Sequence, residues 1–358
     1  MLNVVVKNTE RFLLSVPKTK RKKYGQFFTN MSTAKFMASL FCFDRSKPCL
    51  EILDAGAGTG ILATAVIQKL IDDGYKGRIH VTCYETDDFV MPVLEENMRL
   101  STVLPNVTCS IKTDNYITSQ NFSNYTLFGG EDFHYDYIIG NPPYLKTSKD
   151  SIEALAMPEV CYGAPNLYFL FWAMGIHNLK EGQELVYIIP RSWTSGAYFK
   201  RFREYLFREC VLTDIHLFEK RDKVFDGESV LQETMIVKVK KTRVVPSAIN
   251  ITTSSTSDFK DISFFSAPYE TVVTKNHCVC VVTNSDDVNV LHTINHFSKT
   301  LPEINLKMQT GIIVDFRTRE VLRNELEEGA YPLLYAQHIR EGKIVWPLGK
   351  EGEVIKTE

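Results

Sequence analysis

The strongest constraint on the fold is an apolar strand that leads into a glycine-rich turn and then a helix, in CLEILDAGAGTGILATAVIQKLIDDG (residues 49–74). Further apolar segments with strand character recur up to residue 241, and helical segments separate most of them. Such alternation is typical of a parallel sheet whose strands are joined by helical crossovers. The predicted strands are seven, at residues 50–53, 78–85, 106–114, 136–140, 183–190, 212–219 and 231–241.

The last two predicted strands are joined only by the loop KRDKVFDGESV (220–230), which is short for a parallel crossover. These two strands are therefore predicted to be antiparallel neighbours. The sequence predicts an α/β protein with a doubly wound, mostly parallel, seven-stranded Rossmann-like sheet whose last strand is antiparallel.

The domain organisation follows from length and composition. The chain has 358 residues, which suits two domains, and its 44% hydrophobic and 23% charged residues are typical of a soluble globular protein. Residues 241–260 are rich in Ser and Thr, and the alternation of strands and helices ends there. We predict a basic N-terminal arm (1–24), a catalytic domain (25–242) and a further C-terminal region (243–358).

Several features argue against a membrane or metal protein. No run approaches the roughly 20 apolar residues that a membrane helix needs. The basic cluster KTKRKK (18–23) follows the apolar start of the chain, which is the reverse of a secretory signal. The eight cysteines contain no CxxC pair, and His292 and His296 have no evident third ligand. A cytoplasmic protein without a membrane span or a metal is predicted.

The glycine-rich turn DAGAGTG (54–60) predicts a nucleotide-like ligand, because it lies between a strand and a helix. Its G-x-G-x-G spacing differs from the dinucleotide pattern, and no lysine follows to grip a phosphate. Asp54 would repel phosphates but suits a ligand with a cationic group. S-adenosylmethionine has an ammonium, a sulfonium and a ribose diol, so we predict that Asp54, Ala55, Gly56 and Gly58 contact this methyl donor.

Two acids after the following strands complete the predicted donor site. Glu85, with Thr86 beside it, is expected to bind the ribose hydroxyls. Asp114, with Asn115 beside it, is expected to accept a hydrogen bond from the adenine amino group of the donor.

The segment DYIIGNPPYLK (136–146) predicts the catalytic corner. Two prolines after a buried strand forbid both helix and sheet, so they form a rigid corner at a carboxyl strand end. The Asn141 side-chain oxygen and the Pro142 carbonyl can pull on both N–H bonds of an adenine amino group, and Tyr144 offers a face for the ring. A base in a duplex reaches such a corner only when flipped out. The alternative is a Pro-Pro turn that merely ends a strand.

The order of these motifs resembles that of gamma-class N6-adenine DNA methyltransferases of restriction–modification systems. GQFFTN (25–30) precedes the glycine turn, and YETD, TDNY, NPPY, NLYFLF (166–171) and LVYIIP follow it in the order of that class. The segments KKYGQFFTNMSTAKFMASLF and LKMQTGIIVDFR resemble the BsuBI/PstI type of modification methylase. NPPY alone also occurs in protein-glutamine and ribosomal-RNA methyltransferases, which leaves those activities as alternatives.

The resemblance implies roles for further residues. Phe28 and Thr29 would fold over the methionine end of the donor, which Asn141 would also border, and Phe225 would pack against the flipped adenine. Asn166 and Tyr168 would border the adenine pocket, although the aromatic-rich helix NLYFLFWAMG to which they belong is predicted to be chiefly core. The family usually has proline where this chain has Asn30, which implies a looser turn there.

The resemblance also implies double-stranded DNA as the partner and a bacterial or archaeal source. Residues 1–50 have ten basic and two acidic side chains (+10 − 2 = +8), and Lys20, Arg21, Lys22 and Lys23 are predicted to contact phosphates. A solvated arm is the alternative.

The C-terminal region (243–358) would be a partial target-recognition domain, so a separate recognition subunit or a cognate restriction endonuclease is a possible partner. CTGCAG is the recognition sequence that the BsuBI/PstI resemblance implies. A catalytically silent DNA-binding remnant is a further alternative.

Overall fold

The computed structural model describes residues 1–16, 28–120, 122, 134–219, 233–297, 299, 301–308, 318–323, 328–348 and 355–357. The chain divides into two compact units, Met1–Ile294 and Asn295–Glu358. The predicted boundary after residue 242 lies inside the first unit.

The first unit consists of a large sheet and the helices around it. Its strands are β1 Cys49–Ala55, β2 Arg78–Tyr84, β3 Val107–Lys112, β4 Tyr135–Gly140, β5 Leu179–Pro190, β6 Val211–Phe218, β7 Thr234–Lys240, β8 Ala248–Ser254 and β9 Ser263–Pro268. Its helices are α1 Leu2–Ser15, α2 Met31–Ser39, α3 Ile61–Asp72, α4 Met91–Ser101, α5 Ile152–Ala156, α6 Leu167–Asn178, α7 Lys200–Glu209, α8 Tyr269–Val272 and α9 Ser285–Asn295.

The nine strands lie in the order β3-β2-β1-β4-β5-β7-β6-β8-β9. Strands β1 to β5 pair in parallel, and β7 lies antiparallel between β5 and β6. The predicted fold class and the antiparallel last strand of the catalytic sheet are confirmed. Over the described residues the sheet has nine strands instead of seven, because β8 and β9 extend it past the predicted boundary.

Side chains of the central strands alternate between two cores, one on each face of the sheet. In β5, Leu185, Tyr187 and Ile189 belong to one core, whereas Val186 and Ile188 belong to the other. Both faces are therefore covered, as in other sheets with parallel strands joined by helices. The long apolar helix α6 fills the first of these cores, in which Trp172 is fully buried.

The start of the chain is a helix rather than an arm. Helix α1 buries Leu2 and Val5, which pack in the same core as α3 and α4. The predicted arm (1–24) is therefore corrected over Leu2–Ser15. The apolar side chains on one face of this helix are buried against the core, and this burial offsets the conformational entropy that is lost when the segment becomes ordered. Residues 17–27 lie outside the described residues.

The strands of the second unit are short in its described part, which also contains the 3-10 helices Pro302–Ile304, Arg319–Val321 and Ala336–His338. β10 Leu322–Arg323 and β11 Ala330–Pro332 each pair antiparallel with β14 Ile355–Thr357. β12 Ile339–Arg340 pairs antiparallel with β13 Lys343–Ile344. Among the helices in the described ranges of the whole chain, none is long and apolar enough to cross a membrane. All eight cysteines are free thiols.

Candidate active site

The candidate site lies at the point where the order of the strands reverses, between β1 and β4. Strand β1 pairs with β2 on one side and with β4 on the other, so their carboxyl ends flank a topological switch point, where open α/β sheets bind ligands. Residues that follow these strands line a cavity of about 270 Å³. Nine of the predicted site residues lie in its wall: Phe28, Thr29, Gly56, Gly58, Glu85, Thr86, Asp114, Asn115 and Asn141.

The glycine-rich turn is built by backbone contacts to the end of β2. The amides of Gly56 and Ala57 both donate to the Tyr84 carbonyl, each at 2.9 Å. Gly60 has φ of +77°, and a Cβ there would lie 2.6 Å from Met98 Cε. Gly60 is therefore required both for the backbone conformation and for the close approach of α4.

Glu85 is held by three backbone amides at the mouth of the turn. Its Oε2 accepts from Gly58 N at 2.9 Å, and its Oε1 accepts from Thr86 N at 2.8 Å and from Asp87 N at 2.9 Å. Burial raises the pKa of Glu85, although these three hydrogen bonds act in the opposite direction. A carboxylate has about four acceptor positions, so Glu85 can still accept from a ligand hydroxyl.

Asp54 lies beneath the turn and not in the cavity wall. Its side chain is fully buried, and its Oδ2 accepts from Ala63 N at 3.0 Å. Its Oδ1 has no hydrogen-bond partner within the described part of the chain. Burial raises the pKa of Asp54 to about 7, with a further contribution from the charge of Glu85.

The cavity wall is acidic. Its described residues include the carboxylates of Glu85, Asp87, Asp114 and Glu153, and no lysine or arginine. Such a wall repels phosphate groups and favours a ligand with positive charge.

Asn141 follows β4 and is tied to the segment before α2. Its amide nitrogen donates to Thr29 Oγ1 at 3.1 Å, and Thr29 is 5% exposed. The neighbouring Asn30 caps α2, because its Oδ1 accepts from Thr33 N at 2.8 Å, and its Nδ2 donates to Ser257 Oγ at 2.8 Å. The expectation of a looser turn at Asn30 is therefore wrong: an asparagine N-cap supplies the hydrogen bond that a proline cannot form.

Six predicted residues lie outside the cavity wall as the described residues define it: Asp54, Ala55, Pro142, Tyr144, Asn166 and Tyr168. The Tyr144 hydroxyl donates to the Ile188 carbonyl at 3.0 Å, and its ring lies edge-on to Tyr168 at 6.3 Å. Asn166 caps α6 through Tyr168 N.

Four of these six residues are buried in the structure: Asp54, Ala55, Pro142 and Tyr168. Pro142 is buried, directly beside the wall residues Asn141 and Pro143. Tyr168 is 1% exposed, so the structure places it in the core rather than on a surface that DNA can reach. Its ring packs on the inner side of α6, as the apolar neighbours in NLYFLF require.

Twelve of the 21 wall residues were not predicted from the sequence, among them Glu153 and Phe171. Glu153 of α5 accepts from Asn115 Nδ2 at 2.8 Å, and Phe171 of α6 lies 3.6 Å from where a Cβ of Gly56 would be. Glu153 reaches the cavity because the segment 145–167 returns on itself, with Leu167 N bonded to the Leu145 carbonyl at 2.8 Å. A signal for Phe171 existed, since it lies one helical turn after Leu167, which also lines the cavity.

Five predicted residues fall outside the described part of the chain: Lys20, Arg21, Lys22, Lys23 and Phe225. Their predicted contacts with DNA and with the flipped adenine stay predictions. Within the described ranges there is no group of three His, Cys, Asp or Glu side chains that could hold a metal ion.

Comparison with known proteins places this geometry in a family. The model of the Eco57I restriction-modification methylase family matches residues 28–225, more than half of the chain. The type II methyltransferase M.BsuBI of Bacillus subtilis is 31% identical over 94% of this chain and 68% of its own length. The type II methyltransferase M.PstI of Providencia stuartii is 32% identical over 98% of this chain and 70% of its own length.

A solved structure agrees with the fold. The type I restriction-modification system methyltransferase subunit from Streptococcus thermophilus aligns with a TM-score of 0.51 and 17% identity, over 76% of this chain and 54% of that one. The shared feature at this level of identity is the sheet and its helices.

Proposed function

The chain belongs to the Eco57I restriction-modification methylase family and is a DNA methyltransferase of the restriction-modification type, and we propose that it transfers a methyl group from S-adenosylmethionine to N6 of adenine. The observation that carries the proposal is that Asn141 borders the same cavity as the glycine-rich turn, Glu85 and Asp114. A methyl donor and an amino group could therefore meet there.

The cavity wall fits the proposed donor. S-adenosylmethionine, when bound, supplies an electrophilic methyl group on a cationic sulfonium, and a wall with four carboxylates and no basic side chain among its described residues suits this charge. Glu85 would accept from the ribose hydroxyls with its remaining lone pairs. Asp114, whose side chain is exposed at the wall, would accept from the purine amino group.

Asn141 and Pro142 would activate the acceptor. An aromatic amino group is a weak nucleophile because its lone pair is delocalised into the ring. Acceptors aimed at its two N–H bonds favour a pyramidal nitrogen that can attack the methyl carbon as the bond from that carbon to the sulfonium sulfur breaks. The sulfur would leave as a neutral thioether, and one of the two amino protons would go to solvent. The bond from Asn141 Nδ2 to Thr29 turns the amide oxygen away from Thr29 and holds the amide plane. The order of motifs, rather than this geometry, assigns adenine as the base.

The acceptor base would have to leave the duplex. The corner at Asn141 lies at the end of a buried strand, in a concave site that a stacked base does not reach. We infer that Tyr144, whose hydroxyl is anchored on β5, packs against the flipped base.

The test is methylation of unmethylated bacteriophage DNA, with S-adenosylmethionine, followed by mass spectrometry of the nucleosides. N6-methyladenine is the expected product, and Asn141→Ala is expected to lower kcat by about 10²- to 10³-fold with little change in the donor Kd. Asn289→Ala, which changes an exposed asparagine on α9, is the matched control and should be fully active. N4-methylcytosine instead of N6-methyladenine would refute the assigned base, and an active Asn141→Ala would refute the mechanism.

The biological role proposed is protection of DNA against a cognate restriction endonuclease. This role is supported by the matching family, which is described as a restriction-modification methylase, and by the two relatives, which are named type II methyltransferases. Sequencing of the methylated DNA would identify the protected site, for which CTGCAG is the expectation from the BsuBI/PstI resemblance. Methylation scattered without a common sequence would contradict this role.

A further inference from the structure

Helix α1 contacts the glycine-rich turn (54–60) through buried side chains. Thr9 is 4% exposed, and its Oγ1 is hydrogen-bonded to Thr59 Oγ1 at 2.8 Å. Thr59 belongs to the glycine-rich turn, is 1% exposed and lines the cavity. A buried hydroxyl pair therefore joins the N-terminal helix directly to the wall of the site.

A second hydrogen-bonded chain reaches the backbone of the same residue. Asn97 of α4 is fully buried, and its Nδ2 donates to the Thr59 carbonyl at 2.8 Å. Asn8 of α1 donates to Asn97 Oδ1 at 2.9 Å, which fixes the orientation of that amide. Helix α1 thus holds Thr59 at its side chain directly and at its carbonyl through Asn97.

A third contact is apolar. The Phe12 ring of α1 lies edge-on to the Phe28 ring, with centroids 5.9 Å apart. Phe28 lines the cavity and covers the turn, since a Cβ on Gly58 would lie 3.4 Å from its ring. Helix α1 therefore contacts Thr59 within the turn and Phe28, which covers the turn.

We propose that α1 is a positioning element of the donor site, in which Asn8, Thr9 and Phe12 set donor affinity by holding Thr59 and Phe28 in place. This inference rests on the proposed donor, S-adenosylmethionine. Helix α1 precedes residues 28–225, which the family model matches. A turn that must bind through its backbone gains affinity when it is held in the bound conformation before the ligand arrives.

The test is the donor Kd of Thr9→Val, measured by calorimetry on the full chain. Valine keeps the shape of threonine but removes the hydrogen bond to Thr59, so the Kd is expected to rise about five- to tenfold. The KM for DNA and the kcat at saturating donor are expected to stay unchanged. Thr9→Ser, which restores the hydroxyl, should restore the Kd, and Asn3→Ala on the exposed face of α1 is the control with no expected effect.

A second variant guards against a purely structural effect. Phe12→Leu keeps an apolar side chain but loses the ring contact to Phe28, and it should also raise the donor Kd by about threefold while the Tm changes little. A fall in Tm for Thr9→Val and Phe12→Leu without any rise in the donor Kd would overturn the inference.

The outcomes separate this inference from the proposed function. If the wild-type chain does not bind S-adenosylmethionine, the proposed donor is wrong and the inference fails with it. If the wild-type chain binds the donor and Thr9→Val binds it equally well, the inference alone is overturned.

Discussion

The two sides of the cavity are built in different ways. The turn side (residues 54–60 and 84–87) is held by hydrogen bonds among backbone amides, carbonyls and the Glu85 carboxylate within a single strand–helix–strand unit, as in the bond from Gly58 N to Glu85 over 27 residues. The assembled side (Thr29, Asn141, Glu153 and Phe171) joins side chains from distant segments, and the bond from Asn141 to Thr29 spans 112 residues.

This difference predicts different sensitivities. The turn side depends on the absence of Cβ atoms and on the placement of charge, so small additions and charge changes should damage it. Apart from the contact that Asn141 itself would make to the acceptor, the assembled side depends on single hydrogen bonds between its side chains, each of which contributes about 1 kcal/mol. Four substitutions test this contrast, three on the turn side and one on the assembled side.

The largest effect is expected for Gly60→Ala. Gly60 and Gly74 both have φ of +77°, but a Cβ would contact Met98 and Leu94 at Gly60 and nothing within 4 Å at Gly74. We expect Gly60→Ala to lower the free energy of unfolding by about 3 to 4 kcal/mol, of which about 1 to 2 kcal/mol is the backbone cost and the rest overpacking. Gly74→Ala should show the backbone cost alone, and equal losses in urea titrations of the two variants would contradict the packing argument.

Asp54→Asn is expected to change how stability depends on pH. The pKa of Asp54 is about 7 in the folded chain, against 3.8 for an ordinary aspartate. Below pH 3.8 both states are protonated and the stabilisation is complete, and it is lost as pH rises towards 7 because only the unfolded chain has ionised. The loss is on the order of 3 kcal/mol.

The measurement for Asp54 is urea unfolding of wild-type chain and Asp54→Asn between pH 4.5 and pH 7.5, at about one-unit steps. The wild-type chain should lose stability relative to the variant over this range, since asparagine does not ionise. Parallel profiles would mean that Asp54 titrates near its ordinary pKa.

Glu85→Gln should raise the donor Kd by about 30-fold, which corresponds to a loss of about 2 kcal/mol of binding free energy. The substitution removes the negative charge and directs an amide nitrogen at backbone amides that now donate to the carboxylate. Asp88→Asn is the control, because it makes the same charge change on an exposed residue three positions away. If calorimetry gives both variants the same Kd, Glu85 does not bind the donor.

The smallest effect is expected on the assembled side. Thr29→Val removes the partner of the Asn141 amide and should lower the rate of methyl transfer in a single turnover about fivefold, or about 1 kcal/mol. Thr29→Ser keeps the hydroxyl and should retain most of the rate. A variant with valine that reacts as fast as the wild-type chain would show that Asn141 is oriented by other contacts.

Local motifs made part of the site predictable. The glycine-rich turn, Glu85, Asp114 and Asn141 each follow a predicted strand, and the carboxyl ends of parallel strands meet at one edge of a sheet, so their convergence on one cavity follows from topology. Strands β8 and β9 were not predicted, because the Ser and Thr residues in and around them resemble a loop. Ile249 and Ile251 of β8 nevertheless alternate into the core.

By itself, the sequence determined the α/β class, the switch point and the acids that face it, since strand–turn–helix patterns and motif spacing act over short stretches of chain. Only the tertiary structure decided that Asp54 and Tyr168 are buried, that Glu153 and Phe171 join the wall, and that α1 contacts Thr59. The physical reason is that burial and hydrogen bonding between distant segments depend on which faces meet after folding, and residue spacing along the chain does not encode those distances.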